Sequence, residues 1–374
     1  MVGKRMHLPG YLRLLAVLLA VGAAPAAAAE RASNTLLTDE AEVAEEVVTE
    51  HFAMPKMDLQ GNDWQGTNAC PGGEMGPWFA GVDYRLIRAH FSEAVAYVQV
   101  NDSLTPQGFQ RRVQAEELNF DYNSSVRFYL GAHLGEFQDI RFAYWNFNTE
   151  VAVNGTAGIG QTLVDPFGNL ALTGSSMSTR ASVNLNVFDL EYLQTLNYPC
   201  QGADFVYSAG LRFANVDQAY DSVVRNGGGS TTSIGDFAAY FSGVGPNLML
   251  TGRTSSFQRR LSLFAKGGAA LLIGSYDVSS DVTIPGFAIG GQTASRTRTV
   301  PIMEAELGGS WHSSDRMIIS AGWLYQAWFN IGTSGGTFDG ENLPFAPVDT
   351  VFGQTDDADI MSFEGLFIRA EFSF

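Results

Sequence analysis

Charged side chains recur on one face of segments in which apolar and polar residues alternate, the period that gives a β-strand two distinct faces. Acidic and basic residues are mixed on this face. It therefore predicts either a pore lining that filters solutes by charge and size, or an ion-paired network that fills a barrel. The candidate pore-lining residues are Asp83, Arg85, Arg127, Arg141, Asp189, Glu191, Arg212, Lys266, Glu304, Glu306, Arg369 and Glu371.

Aromatic side chains share the predicted inward face with these charges, and they bear on the width of the lumen. A barrel of about eight strands is just filled by side chains, whereas wide aqueous channels need about 16 to 18 strands. We therefore expect a narrow or partly plugged lumen. The inward aromatic residues are Phe79, Tyr129, Trp145, Trp328 and Phe367.

Ten segments have the strand pattern that would position these side chains. They predict an all-β protein, an up-and-down antiparallel transmembrane barrel of about ten strands, or twelve if the first or second long loop contributes a hairpin. The fourth segment departs from clean alternation near Val187 and Phe188, and a bulge there would keep Asp189 and Glu191 facing inward. The predicted spans are 78–91, 124–136, 139–151, 182–196, 204–222, 236–253, 257–277, 297–312, 316–332 and 359–374.

The connections between these segments alternate between short and long, as the periplasmic turns and extracellular loops of outer-membrane barrels do. Alternation within strands does not choose the outward face, because a soluble lipocalin-like barrel shows it inverted. Mixed charges on the polar face and aromatic residues near strand ends favour apolar residues outside. The long connections are 92–123, 152–181, 223–235, 278–296 and 333–358.

The last segment ends the chain on an aromatic residue, as the closing strand of an outer-membrane barrel does. Apolar residues occupy its even positions, and polar residues lie between them. We expect this strand to carry the signal for the barrel-assembly machinery. The signal residues are Leu366, Ile368, Phe372 and Phe374.

The N-terminal part of the chain has a different character. Residues 1–29 combine basic residues, an apolar run and small residues before Glu30, which predicts a secretory signal peptide cut after Ala29. Residues 30–77 are acidic and predict a periplasmic leader with a short helix around Val43 and Val47. Beyond the signal no apolar run of about 18 residues exists, which excludes a helical membrane protein. Residues 78–374 are assigned to the barrel.

Composition and cysteine count agree with an exported envelope protein. A net charge of −17 makes nucleic acid an unexpected partner. The chain has 41 glycines, 26 phenylalanines and a mean hydropathy near zero, which suits a barrel in which alternate residues meet lipid. Cys70 and Cys200 both fall on the predicted periplasmic side and fit one disulfide in an oxidising compartment, with two unpaired thiols as the alternative.

Five stretches, the aromatic C-terminus among them, resemble the Legionella major outer-membrane protein family of pore-forming outer-membrane proteins. The resemblance implies an outer-membrane barrel regarded as a porin, with no catalytic residues to carry over. The stretches are Trp78 to Phe91 (WFAGVDYRLIRAHF), Ala209 to Ser222 (AGLRFANVDQAYDS), Phe241 to Gly252 (FSGVGPNLMLTG), Leu261 to Gly274 (LSLFAKGGAALLIG) and the last strand.

Catalytic and metal-binding motifs are not evident in the sequence. His90 near the outer rim is the one histidine placed to meet an external substrate, and no nucleophile motif accompanies it. The acidic residues of the last long connection, Asp339 and Asp349 among them, match no calcium-loop spacing. We therefore predict neither an enzyme nor a cofactor or metal site.

These patterns predict a protein of the cell outer membrane, a porin-like channel for passive diffusion of small polar or ionic solutes. Its partners would be outer-membrane lipid, lipopolysaccharide and the solutes. The alternative is a closed narrow barrel that acts as an adhesin, receptor or envelope scaffold through its long loops. A soluble secreted barrel is the third reading. Solute identity, ion selectivity and oligomeric state stay open at this point.

Overall fold

The computed structural model describes residues 77–92, 94–106, 108–135, 137–198, 203–256, 260–314, 316–331 and 360–374. The predicted signal peptide, the leader up to residue 76, Cys70, Cys200 and the last long connection lie outside the described residues. No helix among the described residues is long and apolar enough to cross a membrane.

Within these ranges the chain forms strands throughout, because runs of alternating, β-branched and aromatic residues are interrupted only by turn residues. The strands are β1 (Trp78–Phe91), β2 (Val95–Thr105), β3 (Gly108–Glu117), β4 (Asn123–Gly135), β5 (Gln138–Thr156), β6 (Gln161–Val164), β7 (Leu170–Ala171), β8 (Ser176–Tyr198), β9 (Ala203–Arg225), β10 (Thr231–Ser256), β11 (Leu261–Ile284), β12 (Phe287–Ser314), β13 (Met317–Phe329) and β14 (Ile360–Ser373).

Ten of these strands close into an antiparallel barrel in the order β1-β14-β13-β12-β11-β10-β9-β8-β5-β4. The first and last strands complete the ring, with Phe79 opposite Ser373 and Phe91 opposite Met361. The prediction of a ten-strand barrel is confirmed. We call the end where β1 begins and β14 stops the terminal end, and the opposite end the far end.

The strands from β8 to β12 are 23 to 28 residues long, more than twice the roughly 9 to 11 residues that cross a membrane. At the far end they join through tight turns. Asn226 N–H donates to the Ser230 carbonyl across 2.9 Å, and Gly286 follows Pro285 with a φ of 93°. The prediction of long loops over 223–235 and 278–296 is therefore wrong, because these residues continue the strand pairing.

The first two long connections form a second sheet of four strands in the order β3-β2-β6-β7. We call this sheet, with residues 165–169 between β6 and β7, the cap. The first long connection does contribute a hairpin, β2 and β3, which was the condition for the twelve-strand alternative. Because β2 pairs with β6 in the second sheet, however, the hairpin does not join the barrel, and the barrel has ten strands. Tyr220 Oη and Thr179 Oγ1, on β9 and β8, donate to the Ala96 carbonyl across 2.7 and 3.2 Å.

The barrel turns its apolar residues outward over the part nearest the terminal end, as predicted. Leu248 of β10, Leu263 of β11 and Leu366 of β14 are each at least 60% exposed, whereas their neighbours along each strand face inward. The predicted bulge in β8 is wrong. Pairing of β8 with both neighbours continues through Val187 without a shift of register, and Val187 itself faces the lumen.

Candidate functional site

The lumen collects all twelve predicted charged residues. Eight of the ten barrel strands supply them, and the other two, β10 and β13, supply Asn247 and Gln326. Eleven of the twelve make ion pairs with one another at one level of the barrel, and we call these eleven the ion layer. Glu371 lies toward the terminal end and accepts a hydrogen bond from Tyr129 Oη across 2.9 Å.

Arg212 is the centre of the first group in the ion layer. Its guanidinium donates to both carboxylate oxygens of Asp189, from Nε across 2.6 Å and from Nη2 across 3.0 Å. Nη1 reaches over β10 and β11 to Glu304 on β12. Arg127 Nη2 donates to Asp189 across 3.2 Å, and Gln326 donates to Glu304. This group ties five strands together, and Arg212 is only 2% exposed.

Arg369 organises the second group on the other side of the lumen. It donates to Asp83 across 2.6 and 2.9 Å and to Glu306 across 3.0 Å. Lys266 Nζ lies 3.2 Å from Glu306, and Arg85 Nη2 lies 3.2 Å from Asp83. Each carboxylate therefore meets at least two cations, which offsets the desolvation of the buried charges.

Arg141 and Glu191 make the third group. Arg141 donates to Glu191 Oε2 from Nε across 2.9 Å and from Nη2 across 2.6 Å, and Asn247 donates to Oε1 across 3.1 Å. With Glu371 counted, the twelve residues are six cations and six anions. The charges of all twelve balance, so together they leave no surplus charge with which to select a solute.

Toward the far end the lumen is filled by a second level of side chains, the apolar layer. Edge-to-face contacts join Phe363 to Trp145 and Phe147, with ring centroids 5.8 and 5.4 Å apart. Each member is at most 3% exposed. The members are Ile87, Trp145, Phe147, Leu185, Val187, Val216, Phe241, Leu272, Tyr276, Ile302, Trp328, Met361 and Phe363.

The alternation pattern predicted only part of this layer. The inward positions of Trp145 and Trp328 are confirmed, as are those of Phe79, Tyr129 and Phe367. Leu185 and Val187 were missed, although counting back in twos from Asp189 would have placed both on the inward face. The signal was masked because the outward neighbour Phe188 is also apolar.

Arg85 joins the two layers. Its guanidinium carbon lies 5.2 Å from the centre of the Trp145 ring, a cation–π contact, while Nη2 faces Asp83. Trp145 Nε1 donates to Ser125 Oγ across 2.6 Å. The polar edge of the tryptophan is thus satisfied at the boundary, and its ring continues into the apolar layer.

A cavity of about 210 Å³ lies on the terminal side of the ion layer, and we call it the vestibule. Asp83, Arg127 and Lys266 form part of its wall, as does Arg253, which the sequence analysis did not single out. Arg253 Nε is buried without a hydrogen-bond partner among the described residues. Solvent can therefore approach the charges from this end, whereas the apolar layer lies beyond them.

The cap contains a buried carboxyl of a different kind. Asp165 Oδ1 accepts from the backbone N–H of Phe167 across 3.0 Å and of Asn169 across 2.7 Å, and Oδ2 accepts from Asn169 Nδ2. No cation of the described residues pairs with it. Burial raises the pKa of Asp165 to about 6 in spite of these bonds.

Two of the described histidines lie beside carboxylates. His90 Nε2 lies 3.1 Å from Glu364 on the outer face, and His133 Nδ1 lies 2.6 Å from Asp139 at the terminal end. No group of three or more metal-ligating side chains occurs among the described residues. The predicted signal residues Leu366, Ile368 and Phe372 project from the outer face of β14, and Phe374 follows the end of that strand; the four are 45 to 60% exposed.

Comparison with known proteins places these features in context. A sequence model of the family described as Legionella pneumophila major outer membrane protein precursor matches residues 72–374. No curated protein matches the chain in sequence. Solved structures similar to it include the outer membrane protease OmpT of Escherichia coli, at 11% identity and a TM-score of 0.46 over 80% of this chain and 97% of that chain.

Two further solved structures are similar at lower scores. Ail, the attachment invasion locus protein of Yersinia pestis, is 9% identical with a TM-score of 0.23 over 80% of this chain and 99% of that chain. The toluene transporter TodX of Pseudomonas putida is 8% identical with a TM-score of 0.25 over 80% of this chain and 90% of that chain. The family match, by contrast, spans every described strand.

Proposed function

The chain belongs to the Legionella major outer membrane protein family and is an outer-membrane β-barrel, and from this premise we propose that it acts with a closed lumen. In this proposal the barrel is an anchor, and the part that projects from the far end is an envelope scaffold or receptor. The observation that carries it is the filling of the lumen by two successive layers of side chains, one ion-paired and one apolar.

The chemistry of the outer face supports projection of the far end into water. Asp236 of β10 lies opposite both Asp221 of β9 and Asp281 of β11, which makes a row of three carboxylates on the outside of the sheet. Such a row is incompatible with hydrocarbon, where charged residues are costly. Glu150 and Arg180 form an exposed ion pair on the neighbouring strands. The outward apolar residues, Leu248 and Leu263 among them, form an apolar belt nearer the terminal end.

A porin-like channel for small polar or ionic solutes is the second candidate. The vestibule favours it, because it brings solvent to the charged wall of a lumen that only side chains obstruct. In this reading the ion pairs exchange partners as a solute passes, and their mixed charge filters it. The apolar layer argues against it, because a hydrated ion would have to cross a dry constriction.

Conductance of the full chain in planar bilayers tests the two candidates. We expect no discrete steps from protein that shows the heat-dependent gel shift of a folded barrel and floats with lipid on a density gradient. Discrete steps would overturn the closed-barrel proposal. If their ion selectivity changed with Glu304→Gln and not with the exposed control Glu150→Gln, the porin reading would replace it.

The remaining assignments follow from an outer-membrane location. We propose export through the N-terminal signal peptide, insertion by the barrel-assembly machinery through Leu366 of β14 and the adjoining Phe374, and a surrounding of outer-membrane lipid and lipopolysaccharide. We propose no catalytic activity. The outward His90 and Arg88 both pair with Glu364, an arrangement that stabilises the wall of the barrel.

A further inference from the structure

Strand β3 is the exposed edge of the cap. It is the terminal strand in the order β3-β2-β6-β7, and every residue from Gly108 to Glu117 is exposed. Along Gln110 to Glu117 no described strand pairs with its outer side. Natural edge strands are commonly protected by bulges, prolines or charges, because their free backbone groups readily pair with another strand.

The charges of β3 are arranged symmetrically about Gln114. Arg111 and Arg112 precede it, and Glu116 and Glu117 follow it at matching distances. An antiparallel copy of the same strand, centred on the same residue, would set Arg112 opposite Glu116 and Arg111 opposite Glu117. A parallel copy in the same register would set each arginine against its own counterpart.

The faces of the strand match as well as the charges. Residues directly opposite each other in an antiparallel pair project from the same side of the sheet. Arg111 and Glu117 share one side of β3, and Arg112 and Glu116 share the other, because each pair is separated by an even number of residues. Both cross-strand pairs are therefore geometrically compatible in the single register centred on Gln114.

From this arrangement we propose that β3 is an interface for a second copy of this chain. Two caps pair antiparallel, edge to edge, about a two-fold axis that passes midway between Gln114 and its counterpart. The two four-stranded sheets then form one continuous sheet, an isologous contact of the kind that builds closed dimers. This interface is independent of the proposed function, since it is the same whether the lumen conducts or not.

The charges that make the contact are available for it. Arg112, Glu116 and Glu117 have no ion-pair partner among the described residues. Arg111 already pairs with Asp102 of β2, with Nε 2.8 Å from Oδ1, and both side chains are more than a third exposed. A partner carboxylate can join this pair without displacing it. Phe109 and Val113, 63 and 44% exposed, add apolar surface beside the contact.

The experiment uses two full-length charge variants, folded by the gel-shift criterion, and light scattering in detergent. One carries Arg111→Glu and Arg112→Glu, the other Glu116→Arg and Glu117→Arg. We expect a wild-type dimer, weakening of each variant's own dimer by more than about tenfold, and recovery of a dimer when the two are mixed. A monomeric wild type, or dimers that survive both reversals, would overturn the proposal.

A cross-link provides the second, independent readout. The Gln114→Cys variant places a thiol opposite its own counterpart, within the roughly 4.4 to 6.8 Å between Cα atoms that a disulfide spans. We expect an oxidised dimer from this variant and none from the control Arg225→Cys, which carries its thiol on the exposed end of β9. Equal cross-linking of the two variants would also overturn the proposal.

Discussion

The ion layer and the apolar layer close the same lumen by opposite means. In the ion layer every charge is buried or half-buried beside a partner of the other sign, and Arg212 alone joins Asp189 to Glu304. In the apolar layer Phe363 is held by ring edges and by the exclusion of water. The first depends on each pair being complete, whereas the second depends on volume and dryness. Substitutions should therefore destabilise the barrel for different reasons in the two layers.

The largest effect is expected where the ion layer loses a shared partner. Arg212→Met removes the cation that Asp189 and Glu304 share and leaves both carboxylates buried in the lumen. Loss of one partner of a buried pair costs about 3 to 5 kcal/mol. Guanidinium unfolding of the barrel in lipid or detergent, followed by tryptophan fluorescence, measures the change.

A double variant separates charge from packing at the same site. Arg212→Met with Glu304→Gln removes one cation and one anion together, leaves Asp189 paired with Arg127 and keeps side chains of similar volume, so most of the lost stability should return. If the double variant is as unstable as the single one, the ion layer acts through shape, and the contrast between the two layers is wrong.

The next effect concerns a buried carboxyl that lacks the cations of the ion layer. The pKa of Asp165 is raised to about 6, above its value in an open cap, so the cap is most stable below about pH 4. Stability is lost as the pH rises to about 6 and is constant above it. The difference is on the order of 3 kcal/mol. Hydrogen exchange of residues 161–171, corrected for intrinsic rates, should show more frequent opening at pH 7.5 than at pH 4.5.

Asp165→Asn is the matched control for this pH dependence. The amide keeps an oxygen acceptor for the backbone N–H groups of Phe167 and Asn169 and has no proton to lose. Exchange in the variant should be the same at both pH values. A wild-type cap that opens equally at both would mean that Asp165 ionises freely, and that burial without a cation does not distinguish it from Asp189.

The residues in these tests differ in how well their positions could be predicted from the sequence. The ten barrel strands and all twelve inward charges follow from alternation, because these charges lie on the strand faces opposite to the apolar ones. The apolar layer was harder, since Val187 faces the lumen and Phe188 faces outward, and both are apolar. The cap was missed as a sheet because β2 pairs with β6, about sixty residues away, and no local pattern encodes that contact.

A smaller effect is expected from Val→Thr, an isosteric substitution that can be made both in the apolar layer and in the wall of the vestibule. Val187→Thr puts a hydroxyl into the apolar layer, where an unsatisfied polar group costs about 1 to 3 kcal/mol. Val206→Thr makes the same change in the wall of the vestibule, where water can bond the hydroxyl, and should cost close to nothing. The difference between the two unfolding midpoints measures the dryness of the far half of the lumen. Equal costs would mean that water reaches both levels, as a conducting lumen requires.

The smallest effect is expected where the chemistry of the ion layer is repeated on the outside. Arg88 Nη2 lies 2.9 Å from Glu364 Oε1, as close as most lumen pairs, yet the two side chains are 36 and 30% exposed. Water and salt screen such a pair, so Glu364→Gln should cost about 1 kcal/mol or less, against several for Arg212→Met. Raising the salt concentration should shrink the first cost and leave the second nearly unchanged. If both costs respond equally to salt, the lumen charges are as solvated as the outer ones, and burial does not set the two apart.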